Sequence, residues 1–92
     1  MHCVGEYPTP NNHLNLNKID KYKNRYNVTV GYSTHEETSN FQAVGLAIAK
    51  GACILEKHIG LETESYKLND YSTDLEETDI WLASASEALD AC

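Results

Sequence analysis

The sequence predicts an α/β chain: three parallel β-α units in a row, forming a piece of a larger barrel. Three observations lead there. Strand-like starts recur with a step of about 25 residues, near Cys3, Val28 and Cys53, and a helix-like stretch follows each. Two of the strand-like runs end in histidine, His35 and His58, and successive C-terminal strand ends of a parallel sheet lie side by side, where α/β sites form. The chain is also short for its pattern, at 92 residues. Parallel sheets are covered by helices, and three strands alone leave two edges bare, so further barrel strands are expected to complete it. Residues 1–92 are read as one partial domain.

The first strand-like run spans Cys3 to Tyr7, and alternation puts Cys3, Gly5 and Tyr7 on one face. Pro8 and Pro10 then set an extended exit through the loop to His13 and exclude helix there. In the first helix Leu16, Ile19, Tyr22 and Tyr26 follow helical spacing, while Lys18, Lys21, Lys23 and Arg25 form a solvated face. The second run, Val28 to His35, places Thr29, Gly31, Ser33 and His35 on one face and Val28, Val30 and Tyr32 on the other.

Ser39 with Gln42 makes a capping box for the second helix, which carries Phe41, Val44, Leu46, Ala47 and Ile48 and stops at Gly51. The third run, Ala52 to His58, groups Ile54, Glu56 and His58 against Cys53, Leu55 and Lys57. A loop from Ile59 to Thr73 has no clear period and leaves a strand's C-terminal end, where barrel enzymes keep substrate loops. Thr73 with Glu76 opens the third helix as another capping box, and Trp81, Leu82, Ala85, Ala88, Leu89 and Cys92 share a side, with Trp81 as packing anchor.

A net charge of −7, with no basic stripe interleaved with aromatics, argues against nucleic acid as a partner. No apolar run approaches the roughly 20 residues of a membrane helix, and nothing resembles a signal peptide, so no membrane partner and a cytoplasmic location are expected. Cys3, Cys53 and Cys92 are odd in number and lack CxxC spacing, and read as buried or incidental thiols.

Alternation brings Tyr7, His35 and His58 to one rim, with Glu56 one step below His58 and Ser33 one step below His35. Two neutral imidazoles with a nearby carboxylate suit a divalent metal that keeps open positions for substrate. The plainer alternative is a pair of hydrogen-bonded rim histidines. His2 and His13 show no such convergence, and Ser33 suits either an anionic oxygen or a turn.

The chain resembles the C-terminal part of the catalytic barrel of N-acetylneuraminate (sialic acid) synthases. The resemblance is carried by His2-Cys3, Tyr7-Pro8-Thr9-Pro10, Asn15-Leu16, Gly31-Tyr32-Ser33-x-His35, Ala47-x-Ala49-x-Gly51-Ala52 and Glu56-Lys57-His58, in family order and spaced as strands six to eight of a (β/α)8 TIM barrel, of which the resemblance makes this chain a fragment. It implies a transferase that condenses phosphoenolpyruvate with an N-acylated hexosamine, N-acetylmannosamine in the name reaction, to give a nine-carbon 2-keto acid and phosphate. By the same match His35 and His58 hold a divalent ion, Mn²⁺ or Mg²⁺. Tyr7 and Asn69 fall at sugar positions, Ser33 at a phosphoenolpyruvate contact and Glu56 near the metal, so that Tyr7 and Glu56 are the candidate catalytic groups.

The expected partners are the two substrates, the rest of the barrel and, for the full-length parent, a possible second copy. This chain departs from the family pattern at Thr34 and Asn69, each in place of a common Asp, and at Gly5, where Asn or Ser is usual. The acceptor sugar is therefore open, and a legionaminic or pseudaminic acid synthase is the alternative within the same chemistry. From a different class, the bare sheet edges leave room for a noncatalytic αβ module.

Overall fold

A computed structural model describes residues 1–92, and its elements run β1 (His2–Cys3), a 3-10 turn (Asn11–His13), α1 (Asn17–Tyr26), β2 (Gly31–Thr34), α2 (Gln42–Ala49), β3 (Ile54–Lys57) and α3 (Leu75–Ala91). The three strands form one parallel sheet in sequential order. His2 pairs with Tyr32 and Cys3 with Ser33. Across the next ladder Gly31, Tyr32, Ser33 and Thr34 pair with Ile54, Leu55, Glu56 and Lys57. Three parallel β-α units are thus present, as the 25-residue step predicts.

Pairing assigns the faces. Tyr32 and Leu55 lie on the side where the helices pack, in two clusters that meet across α2. One joins Ile19, Val30, Tyr32, Ala47 and Ala52, with Leu16, Tyr22 and Leu55 against it. The other joins Val44, Ile48, Trp81 and Ala85, with Phe41, Leu55 and Ala88 against it. Trp81 is a packing anchor, as its position on the apolar side of α3 predicts. The opposite sheet face carries Cys3, Ser33 and Glu56 in one row across the three strands.

Gly31 sits where β2 passes β3. A Cβ there would come within 3.0 Å of the Ile54 backbone oxygen and 2.9 Å of the Met1 side chain, so close approach of the strands requires glycine. Gly51, at φ +106°, ends α2 in the left-handed region as expected.

Several local expectations are corrected. The strands are shorter than the apolar runs: β2 starts at Gly31, and Val28 is exposed rather than part of the ladder. The prolines do not exclude all helix, because Pro10 caps one 3-10 turn at Asn11–His13. α2 begins at Gln42, with Phe41 at its N-cap and no side-chain cap, so Ser39 and Gln42 form no capping box.

The cap of α3 lies one residue later than predicted. Asp74 accepts from the Glu77 backbone and Glu77 from the Asp74 backbone, while the Thr73 hydroxyl turns back to the His58 carbonyl and to Thr78. On α3, Leu82 and Leu89 are exposed although they share the apolar side of Trp81 and Ala85. All three cysteines are exposed rather than buried. No helix is long and apolar enough to cross a membrane.

Candidate active site at the strand ends

The ladder between β2 and β3 ends at Thr34 and Lys57, so His35 and His58 each stand one residue beyond the last strand pair. Their backbones are caught by neighbouring loops. The Thr9 N–H donates to the His35 carbonyl and the Thr73 N–H to the His58 carbonyl, each at 2.9 Å. Both rings fall on the open sheet face, and their Nε2 atoms are 3.3 Å apart.

His35 is buried, and its Nδ1 lies 3.2 Å from the Val4 carbonyl and 3.7 Å from the Cys3 sulfur. A carbonyl can only accept, so Nδ1 carries the proton and Nε2 keeps its lone pair. That tautomer lets Nε2 accept from His58 or share a cation with it. A separation of 3.3 Å is one that two nitrogens adopt around a single divalent ion at bonds of about 2.1 Å. The donor set therefore fits a metal through two imidazoles, and the remaining positions would go to substrate and water. No third histidine, cysteine or carboxylate joins them in a metal-ligating cluster.

Aromatic rings wall this pair. Tyr7 stands edge-on to His35 with centroids 4.4 Å apart. Tyr71, from the loop before α3, packs against His35 at 5.9 Å, His58 at 5.4 Å and Tyr7 at 5.1 Å. Sequence reasoning assigned Tyr71 no role, because a loop without period gives no face from which to read it. Its placement depends on Asn69, whose side-chain oxygen accepts from the Tyr71 N–H at 3.2 Å.

One step below, the buried Ser33 donates to Glu56 Oε1 at 2.7 Å, so these two candidates are brought together and engage one another. Tyr7, His35 and His58 likewise converge. Asn69 is not among them. It borders a polar hollow of about 460 Å³ together with Glu37, Thr38, Asp70 and Ser72. His2 and His13 serve the fold: His2 Nε2 lies 2.7 Å from the Leu14 carbonyl and its ring stacks on Tyr32, and His13 pairs with Glu6 at 2.8 Å on the surface.

Behind the histidines, on the helix side of the sheet, a second polar group emerges that the sequence analysis did not single out. Lys57 Nζ meets Glu36 Oε1 at 3.5 Å with both side chains almost wholly buried. Tyr32 donates to the other Glu36 oxygen at 3.2 Å and receives from Thr34 at 3.1 Å. Burial, and next the Glu36 charge, push the Tyr32 hydroxyl far above its ordinary range. Thr34, a departure from the family pattern, thus belongs to the outer face and not to the imidazole rim.

Parallel β-α units with a polar, aromatic-walled imidazole pair at their C-terminal strand ends define an α/β chain whose chemistry-bearing side chains gather where such folds place their sites. The chain belongs to the NeuB family, whose match covers residues 1–84. It is similar to the N,N'-diacetyllegionaminic acid synthase of Campylobacter jejuni, 40% identical over 62 residues that make up 67% of this chain and 18% of that protein. Pseudaminic acid synthase from the same organism is 36% identical over 81 residues, 84% of this chain and 22% of that one. Human N-acetylneuraminate-9-phosphate synthase is 34% identical over 77 residues, covering 83% and 21% of the two chains.

A solved structure from Chromobacterium violaceum, of a protein named for spore coat polysaccharide biosynthesis, superposes with a TM-score of 0.94 at 47% identity. It covers 99% of this chain but 27% of that one. The expected membership in the sialic acid synthase family is borne out, and the chain spans about a fifth of the length of the curated relatives it matches.

Proposed function

We propose that residues 1–92 form the last three β-α units of the TIM barrel of a nonulosonic acid synthase, and that the protein condenses phosphoenolpyruvate with an N-acylated hexosamine. The observation that carries this reading is the His35–His58 pair, 3.3 Å between Nε2 atoms at adjacent strand ends. His35 and His58 would hold a divalent ion, Mn²⁺ or Mg²⁺. Such an ion supplies a positive charge that orients a sugar aldehyde and stabilises the alkoxide that develops on it.

The chain's own groups do the rest of the positioning. Val4 fixes the His35 tautomer through Nδ1, leaving Nε2 free to ligate. Tyr7 and Tyr71 wall the rim on which the sugar would lie. Glu56, accepting from Ser33, holds its carboxyl group one step below the imidazoles, where the reacting carbons would lie. There it can stabilise positive charge at C2 once the methylene carbon of phosphoenolpyruvate has bonded to the aldehyde carbon. It can also take a proton from the water that adds there. The tetrahedral species then loses phosphate by C–O cleavage.

The acceptor is read as N-acetylmannosamine or a related N-acyl sugar. A legionaminic or pseudaminic precursor is favoured as the alternative by the identities of 40% and 36% to synthases of those acids. The test is sugar-dependent phosphate release from phosphoenolpyruvate by the intact protein carrying this chain, with a panel of N-acylated hexosamines and a chelator. Replacing His35 or His58 by Ala is expected to remove most turnover, and the double replacement to cost little more, because the two act as a unit. Near-normal turnover in both single variants, with unchanged sensitivity to chelator, would overturn the metal reading.

A further inference from the structure

We propose that the buried Glu36–Lys57 pair is the device that sets the separation of His35 and His58, making Glu36 and Lys57 positioning residues for the metal site. The inference rests on the metal reading above and adds to it the question of what holds the two ligands together. The hydrogen-bonded ladder stops at Thr34 and Lys57, so no strand pairing joins His35 to His58. Glu36 follows His35, and Lys57 precedes His58. Because side chains alternate, turning both imidazoles to the open face turns Glu36 and Lys57 to the opposite one. There they meet at 3.5 Å, with side chains 1% and 2% exposed. The contact ties the two chains together directly behind the imidazoles, at the place where the ladder has run out.

Glu36 is held from a second side. Tyr32 donates to its Oε2 at 3.2 Å, and Thr34 donates to the Tyr32 oxygen at 3.1 Å, so the carboxylate is anchored to β2 while Oε1 reaches over to β3. Burying a charged pair is a poor way to gain stability, since apolar side chains of similar volume serve as well or better. Its direction is what apolar packing lacks. An ammonium drawn to one carboxylate oxygen fixes the offset of the two strand ends, and with it the spacing of the next residue on one strand and the previous residue on the other.

The experiment measures Mn²⁺ binding to the intact protein by the electron paramagnetic resonance of free Mn²⁺, with far-UV circular dichroism and thermal midpoint recorded for each variant. Lys57→Met and Glu36→Gln are expected to weaken Mn²⁺ binding by about tenfold or more while the fold is retained, the range typical of groups that orient ligands. The double variant Glu36→Gln/Lys57→Met leaves no lone buried charge, keeps an acceptor for Tyr32, and is expected to fold with the same loss. Ile48→Val, in the apolar cluster of α2 and α3, should lower the thermal midpoint and leave Mn²⁺ affinity unchanged.

Wild-type Mn²⁺ affinity in the folded double variant overturns the proposal, as does an equal loss of affinity in Ile48→Val or failure of all three bridge variants to fold. The His35→Ala and His58→Ala proteins separate the two levels of the argument. If they lose Mn²⁺ and the bridge variants keep it, the positioning role falls and the metal reading stands. If they keep it, both fall.

Discussion

His35 is held at each end of its ring, by the Val4 carbonyl on Nδ1 and by His58 on Nε2, and is flanked by two tyrosines. Alternation from Ser33 and Glu56 was enough to put both histidines on one face. Tyr71 was not legible, because the turn at Asn69 and not any periodicity brings its ring over the pair. Glu36 had a signal that went unused: it lies two and four residues after Thr34 and Tyr32, on the same outer face as Lys57.

Two predictions belong to single residues. Aromatic contacts are worth about 0.5–1.5 kcal/mol each, and Tyr71 makes several, so Tyr71→Ala should lower turnover on the order of tenfold while Tyr71→Phe keeps most of it. Phosphate release under saturating substrates would check this, and equal damage from both variants would assign the effect to the hydroxyl. The second concerns alkaline stability. Burial raises the Tyr32 hydroxyl's pKa in the folded state, while the unfolded chain ionises near its ordinary value of about 10. Above that value the unfolded state binds fewer protons than the folded one, so the contribution is intact below about pH 10 and declines as pH rises. Tyr32→Phe should therefore flatten the fall of stability with pH in that range, as measured by denaturant unfolding.

At the scale of elements, hydrophobic spacing located the three helices and the second and third strands, whereas β1 pairs only at His2–Cys3 and not out to Tyr7, and the edges belong to hydrogen bonds that spacing does not reveal. Thr73 and Asp74 both precede a glutamate at the capping distance. Asp74 takes the cap because the Thr73 backbone is already bonded to β3's exit, its N–H to His58 and its carbonyl to Gly60, in a bridge between Ile59 and Thr73. The end of β3 and the start of α3 are thus one connected unit. Asp74→Ala should cost about 1 kcal/mol of stability by removing the cap, whereas Thr73→Ala should also loosen the His58 carbonyl and show up in Mn²⁺ affinity. Unfolding curves and metal titrations of the two variants would separate the roles. Likewise β2 is short because Val28 and Thr29 precede the point where Gly31 lets the strands approach.

The molecule as a whole has helices against one face of its sheet and an open face on the other. Ile54 on that open face is 54% exposed, and Leu82 and Leu89 on α3 are also uncovered. On the proposed barrel reading, apolar side chains in these positions fit contacts with neighbouring β-α units. The proposed reaction also needs cations for the phosphate of phosphoenolpyruvate. The lysine nearest the imidazole pair in sequence, Lys57, points to the opposite face and is committed to Glu36. We therefore expect residues 1–92 on their own to release no phosphate from phosphoenolpyruvate, with or without sugar, at any Mn²⁺ concentration. On the proposed reading, a whole synthase containing them should do so only when sugar and metal are both present. Sugar-dependent release by the purified 92-residue chain would overturn this expectation, and would place the phosphate site within these three β-α units.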